Sequence, residues 1–161
     1  MLEAKPDGWW SSKYTMVRDG VAIAALHFRA LREAGLITVG DQRFEVRRER
    51  PGSGNWLLEG AGGVVVASAQ KPSAWRSQII VRASGQPVVV HLRRPSTWRR
   101  SFEVLQSDRR VGEIRRASIW RRRTEADLPD GLPEVVQVFC IWLVLLLFRR
   151  EDSAAASGGG S

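Results

Sequence analysis

The run VVQVFCIWLVLLLF, from Val135 to Phe148, is apolar at every position except Gln137. Pro133 and Glu134 precede it, and Arg149 and Arg150 follow it. Acidic charge before an apolar run and basic charge after it both complement a helix dipole, so the spacing predicts one helix. Its 14 residues rise roughly 21 Å as a helix, short of the roughly 30 Å of a bilayer core. Extending the run back to Leu132 brings Pro133 and Glu134 into the span. A buried core helix is therefore favoured over a transmembrane one. A helix that is greasy on every side has to be covered on every side.

The rest of the chain supplies a cover. From Trp9 to Ile119 it alternates short β-type runs with turn residues. Tyr14–Arg18 and Val21–Phe28 flank Asp19-Gly20, a strong two-residue hairpin signal. Leu36–Val39 and Phe44–Arg48 flank Gly40-Asp41-Gln42, and Phe44 and Val46 alternate with Arg43, Glu45 and Arg47 as in a half-buried strand. Three more pairs follow: Trp56–Glu59 with Val64–Ala69, Ile79–Arg82 with Val88–Arg93, and Phe102–Gln106 with Val111–Arg116. Five hairpins make ten strands, and further short strands are expected at Trp9-Trp10 and around Trp120. Leu26–Ala34 has some helical character.

An internal repeat agrees with serial hairpins. Pro72-Ser73-Ala74-Trp75-Arg76-Ser77 recurs as Pro95-Ser96-Thr97-Trp98-Arg99-Arg100-Ser101, and a partial copy stands at Ser118-Ile119-Trp120-Arg121. Barrels of about eight strands fill themselves with their own side chains, whereas wider ones leave a lumen to be occupied. The expected fold is therefore mainly β: a closed antiparallel barrel of ten to twelve strands around a central hydrophobic C-terminal helix. The helix is expected over about 132–150, with Val138, Phe139, Ile141, Trp142, Leu145 and Leu146 in the core. Residues 9–150 form the single domain, 1–8 a flexible N-terminus, and 151–161 a disordered Ser/Ala/Gly tail.

Serial hairpins that end in Ala126-Asp127-Leu128-Pro129-Asp130-Gly131-Leu132-Pro133 and then Val135–Phe148 resemble the tubby-like superfamily. That group includes tubby C-terminal domains, plant LURP-one-related proteins and phospholipid scramblases, and the chain looks like a small bacterial-type member. The resemblance covers most of residues 9–150 and is architectural. It implies a twelve-stranded barrel with the last helix through its centre. Tubby domains bind phosphoinositides through basic side chains, although no such residue aligns here one by one. Scramblases carry an acidic, calcium-linked segment before the final helix. Glu125, Asp127 and Asp130 stand in that place as weak calcium candidates, and dipole complementation at a helix start is the better account of them.

No catalytic constellation is legible, so a non-enzymatic domain without cofactor or metal is expected. His27 and His91 lie in strand-like runs without metal-ligand spacing, and the glycine-rich segments Gly52-Ser53-Gly54 and Gly60–Gly63 read as turns. Cys140 stands alone inside the apolar run, where a thiol behaves as a small hydrophobe. Met1–Gly8 has no apolar core, so no cleavable signal peptide is expected.

The net charge of +8 is unevenly spread, because residues 71–123 hold 14 of the 25 basic side chains and 3 of the 17 acidic ones. A basic middle third suits an anionic partner. Arginine outnumbers lysine 22 to 3, and a GC-rich genome produces the same bias without selection. In a strand, neighbouring side chains point to opposite faces, so Arg93-Arg94, Arg99-Arg100 and Arg115-Arg116 are expected at strand ends, and Arg121-Arg122-Arg123 just past the last one. Up-and-down topology gathers them at one barrel end with Lys71, Arg76, Trp75, Trp98 and Trp120.

Three readings of that rim stay open. Arginines hold phospholipid head groups while indoles sit at the membrane boundary. The same groups hold nucleic acid through phosphates and base stacking. Alternatively the indoles cover the barrel end and stack on neighbouring arginines, leaving a scaffold for protein partners. If the helix instead spans a bilayer, the chain is tail-anchored. A cytoplasmic monomer, peripheral at the membrane, is the expectation.

Overall fold

The computed structural model describes the 161-residue chain except Trp10, residues 30–32, residues 74–76, Thr97, residues 118–119, Arg121 and residues 159–161. Twelve antiparallel strands close into one barrel in up-and-down order. They are β1 (Leu2–Pro6), β2 (Lys13–Arg18), β3 (Val21–Arg29), β4 (Ala34–Val39), β5 (Gln42–Arg48) and β6 (Asn55–Glu59). Then come β7 (Val65–Gln70), β8 (Gln78–Ala83), β9 (Val89–Arg93), β10 (Ser101–Gln106), β11 (Arg109–Arg116) and β12 (Thr124–Asp127). The one α-helix among the described residues, α1 (Glu134–Ser157), follows β12.

All five expected hairpins form, and the turn chemistry is the reason. Asp19 and Gly20 sit at φ 50° and 84°, the left-handed pair that a two-residue hairpin turn requires. Ser107 and Asp108 do the same at 49° and 60°.

The closing strands lie elsewhere than expected. Leu2–Pro6, expected to be a flexible end, is β1, and Leu2↔Ala126, Glu3↔Glu125 and Ala4↔Thr124 close the barrel against β12. Trp9 and Trp120 stand in turns, and Trp10 lies outside the described residues. The segment from Leu26 is strand as far as Arg29, after which residues 30–32 are outside the description. The helix is also longer than expected, since residues 151–157, assigned to a disordered tail, continue it beyond the barrel end.

The helix occupies the lumen. Val138 through Val144 are wholly buried, with Leu145 and Phe148 at 1% exposure. Side chains alternate along the wall as the pleat demands: Trp56 and Leu58 on β6, Ile79 and Val81 on β8, and Phe102 and Val104 on β10 all point inward. Small inward residues, among them Ala4, Gly35, Ala67, Ala69 and Ala126, leave room for the helix.

Gln137, the one polar member of the run, is satisfied at the helix start. Its Nε2 donates to the Leu132 carbonyl at 2.8 Å, and its Oε1 accepts from Arg18 at 2.9 Å. Arg18 also bonds Glu134 at 2.7 Å, which pins the entry of the helix to β2. Cys140 is fully enclosed, and burial pushes its thiol up to about 12, so it stays protonated.

The run therefore lies inside the barrel. Among the described residues, no helix is long and apolar enough to cross a membrane. The outer wall carries cross-strand ion pairs such as Arg47–Glu59 at 2.7 Å and Arg93–Glu103 at 2.8 Å. Such opposite-charge pairs stabilise neighbouring strands.

Candidate functional site

Up-and-down order brings the connections β1–β2, β3–β4, β5–β6, β7–β8, β9–β10 and β11–β12 to one end, the mouth through which α1 leaves the barrel. The arginine doublets do arrive there, but Arg93-Arg94 and Arg115-Arg116 each divide their two members between different tasks. Arg93 and Arg115 face the outer wall and pair with Glu103 and Glu125, each within 3 Å. Arg94 and Arg116 fold over the mouth, with side chains only 7% and 5% exposed.

These two cap the core. Arg116 lies 4.9 Å from the Phe148 ring and Arg94 5.6 Å from Phe102, so each guanidinium covers an aromatic at the lumen end. Their charges are met by the protruding helix. Arg94 bonds both Glu151 oxygens, and Arg116 bonds Asp152 at 3.0 and 2.8 Å. Arg122 stands 3.7 Å from Asp152 and donates to the Trp9 carbonyl at 3.1 Å. The expected free rim is thus corrected: Arg94, Arg116 and Arg122 are held by carboxylates from a segment that looked like tail.

Glu125 is equally committed. Arg123 bonds it at 2.8 Å and Arg115 at 2.7 Å. The Arg123 hydrogen bond, helped by Arg115, holds its carboxyl below the usual range despite burial. Two guanidiniums on one carboxylate leave it poorly placed as a calcium ligand. Asp127 is exposed on β12 and Asp130 lies in the turn before α1. Among the described residues no group of three His, Cys, Asp or Glu is placed to hold a metal. His91 meets Gln78 at 2.9 Å on the wall.

What remains open to a partner is a different set. Trp98 is 93% exposed, Trp120 78% and Trp9 62%. They belong to the β9–β10, β11–β12 and β1–β2 connections, which are neighbours around the mouth. Arg99 and Arg100 are exposed beside Trp98 in the same connection. Every Asp and Glu of the sequence is described, and no carboxylate forms an ion pair with either arginine. Trp75, Arg76 and Arg121 lie outside the described residues. Trp9 was missed at the sequence level because it was assigned to a strand. Its adjacency to the Trp98 and Trp120 connections follows only from β1 closing the barrel.

No family model, curated protein or solved structure matches the chain. The mouth therefore has to be read from its own chemistry.

The Asp152 latch yields one expected result. Burial would raise the Asp152 carboxyl, but the Arg116 hydrogen bond and the charges of Arg116, Arg122 and Arg100 outweigh it and hold it low. A carboxyl depressed on folding stabilises above its unfolded pKa, and this contribution fades as pH falls through the folded one. Asp152 and Glu125 should therefore leave stability insensitive to pH down to about 4 and lower it below that. Asp152→Asn should cost about 1–3 kcal/mol at neutral pH, because Arg116 loses its partner while covered. It should also flatten the acid limb of the urea midpoint against pH. An unchanged limb in the variant would show that the latch carries none of the acid sensitivity.

Proposed function

We propose that the protein docks on an anionic membrane surface with the α1 exit face down. The observation that carries this reading is the trio Trp9, Trp98 and Trp120, exposed on three adjacent connections beside the exposed Arg99 and Arg100. An exposed indole is unfavourable in water and at home at a membrane boundary, where its ring is buried and its N–H stays wet. An indole that buries half of its roughly 200 Å² contributes about 2 kcal/mol at the usual area coefficient. An arginine near an anionic leaflet adds about 1 kcal/mol. The tryptophans therefore set the strength of docking and the arginines its preference for anionic lipid.

The resemblance to the tubby-like superfamily supports the same reading. A twelve-strand barrel with its last helix inside is the architecture that group implies, and lipid is the common theme of two of its branches. The division of the doublets narrows the candidate rim to the members without carboxylate partners.

Vesicle co-sedimentation of the full chain tests the proposal. On phosphatidylcholine vesicles containing phosphatidylserine, Trp98→Ala with Trp120→Ala should weaken partitioning about 1000-fold, two half-buried indoles being worth about 4 kcal/mol. Arg99→Glu with Arg100→Glu should abolish the preference for the anionic vesicles and spare the weak binding to phosphatidylcholine alone. Equal partitioning of the wild type and the tryptophan variant would remove the proposal. Salt-sensitive retention of single-stranded RNA, with no vesicle binding, would transfer the same groups to base stacking.

A further inference from the structure

The half of the mouth opposite the exposed tryptophans holds a second concentration of charge. Arg48 ends β5, Lys71 follows β7, and Arg150 leaves the barrel on α1. A single carboxylate, Glu33 just before β4, serves this group and forms ion pairs with both Arg48 and Arg150. Three cations against one anion leave the cluster at about +2, and the side chains of Arg48, Arg150 and Glu33 are only 22%, 35% and 27% exposed.

The floor beneath the cluster is apolar. Trp56 is 1% exposed, and its ring is covered by Arg48 at 5.5 Å and Arg150 at 5.8 Å. Arg48 is steered by a 2.9 Å bond to the Ser53 carbonyl. Lys71 is fixed alongside, since its backbone N–H donates to the Gly54 carbonyl at 2.7 Å and a Cβ at Gly54 would collide with it. Its ammonium forms an ion pair with none of the described carboxylates, and the described carboxylates are all that the side chains contain. Burial and the charge of Arg150 both pull Lys71 below its ordinary value. Burial and Arg150 act on Arg48 in the same sense. Cations stacked close together and half out of water repel one another, and a second anion would relieve the repulsion.

Two members of the cluster, Arg48 and Arg150, each line an open cleft. A cleft of about 750 Å³ whose lining includes Arg29, Glu33, Glu45, Arg47 and Arg48 opens on one side, with Glu45 already paired to Arg29 at 3.0 Å. Another of about 330 Å³, lined by Phe28, Glu33, Arg149 and Arg150, opens on the other. They meet at Glu33. The geometry points to a phosphate site formed by Arg48, Lys71 and Arg150, in which Glu33 is the resident counter-ion that a phosphomonoester dianion displaces. Two guanidiniums and an ammonium provide both bidentate and point-charge donors to such a group. The site shares no residue with the tryptophan half of the mouth and stands independently of the docking proposal.

Calorimetric titration of the full chain with inorganic phosphate, against sodium chloride at matched ionic strength, tests the site. A saturable response is expected. Lys71→Met should weaken it about tenfold through the loss of one charge-assisted partner. Glu33→Gln should strengthen it, because the competing carboxylate is gone. That change of sign separates a binding site from a merely structural cluster, where both variants would act only on stability. Absence of saturation, an unchanged response in Lys71→Met, or a weaker response in a folded Glu33→Gln would each overturn the site.

Vesicles of phosphatidylcholine doped with phosphatidic acid or with phosphatidylserine then identify the source of the phosphate. Preference for phosphatidic acid that Lys71→Met abolishes upholds the site as a head-group pocket. Phosphate binding without that preference upholds it for a soluble phosphomonoester. Vesicle binding through the tryptophans without phosphate binding overturns the site and leaves the docking proposal standing.

Discussion

Replacing Leu145 by Asp is expected to leave no folded barrel, whereas Leu145→Ala should fold with a loss of about 2–5 kcal/mol. Leu145 is 1% exposed on the part of α1 enclosed by strands. Truncation to alanine loses transfer free energy and opens a cavity that a closed wall cannot easily collapse into. A carboxyl at the same point escapes ionisation only by raising its pKa by about 3–5 units, and staying protonated against an unfolded value near 3.9 costs about 4 kcal/mol at neutral pH. Adding the lost leucine burial brings the total near the whole stability of an ordinary domain, about 5–15 kcal/mol. The two variants therefore fall on opposite sides of the folding threshold. Circular dichroism and urea unfolding read the difference directly. If Leu145→Asp melted with the wild-type midpoint, the helix would have to lie outside the barrel.

The apolar run was readable because nothing else in the chain resembles it, and the hairpins because their turn residues are local signals. Asp19-Gly20 specifies a turn from two residues alone, and the flanking strands follow from alternation. The closing strands carry no such signal. β1 and β12 are short, Glu3, Lys5, Glu125 and Asp127 dilute their pattern, and each finds its partner at the far end of the chain. No window of sequence contains both. Residues 153–157 misled for a related reason: Ser and Ala without apolar neighbours read as tail, yet α1 propagates through them from a helix already fixed by the barrel.

The mouth was legible in composition and not in assignment. Alternation says that one arginine of each doublet faces outward, but not that the other bends over Phe102 or Phe148 toward Glu151 and Asp152. Arg149 and Arg150 looked like dipole partners of α1. The structure sets Arg149 over Phe28 at 4.9 Å and Arg150 over Trp56. The cluster around Glu33 draws on four separate segments, so only the folded barrel assembles it. The visible sign was Lys71, one of just three lysines in an arginine-dominated chain.

The second large effect is expected at Gly35. This residue lies in β4, the strand that α1 approaches most closely. A Cβ there would stand 2.3 Å from the His27 carbonyl oxygen and 2.8 Å from the indole nitrogen of Trp142. Trp142 is wholly buried and stacked on Phe28, with ring centroids 4.9 Å apart and planes 12° from parallel, so it has nowhere to retreat. The glycine is therefore the notch that lets the largest side chain of the helix sit against the wall. Gly35→Ala should cost about 1–3 kcal/mol as overpacking, and Gly35→Val, with two more carbons, should prevent closure. Trp142→Phe should itself destabilise, because it empties part of the lumen, yet it should reduce the penalty of Gly35→Ala when the two are combined. The rescue has to be partial, since the His27 clash is with backbone and no change in α1 relieves it. A double-mutant cycle on urea midpoints measures this coupling. Strict additivity would mean that the indole does not press on β4, and the seating of the helix in the lumen would need to be redrawn.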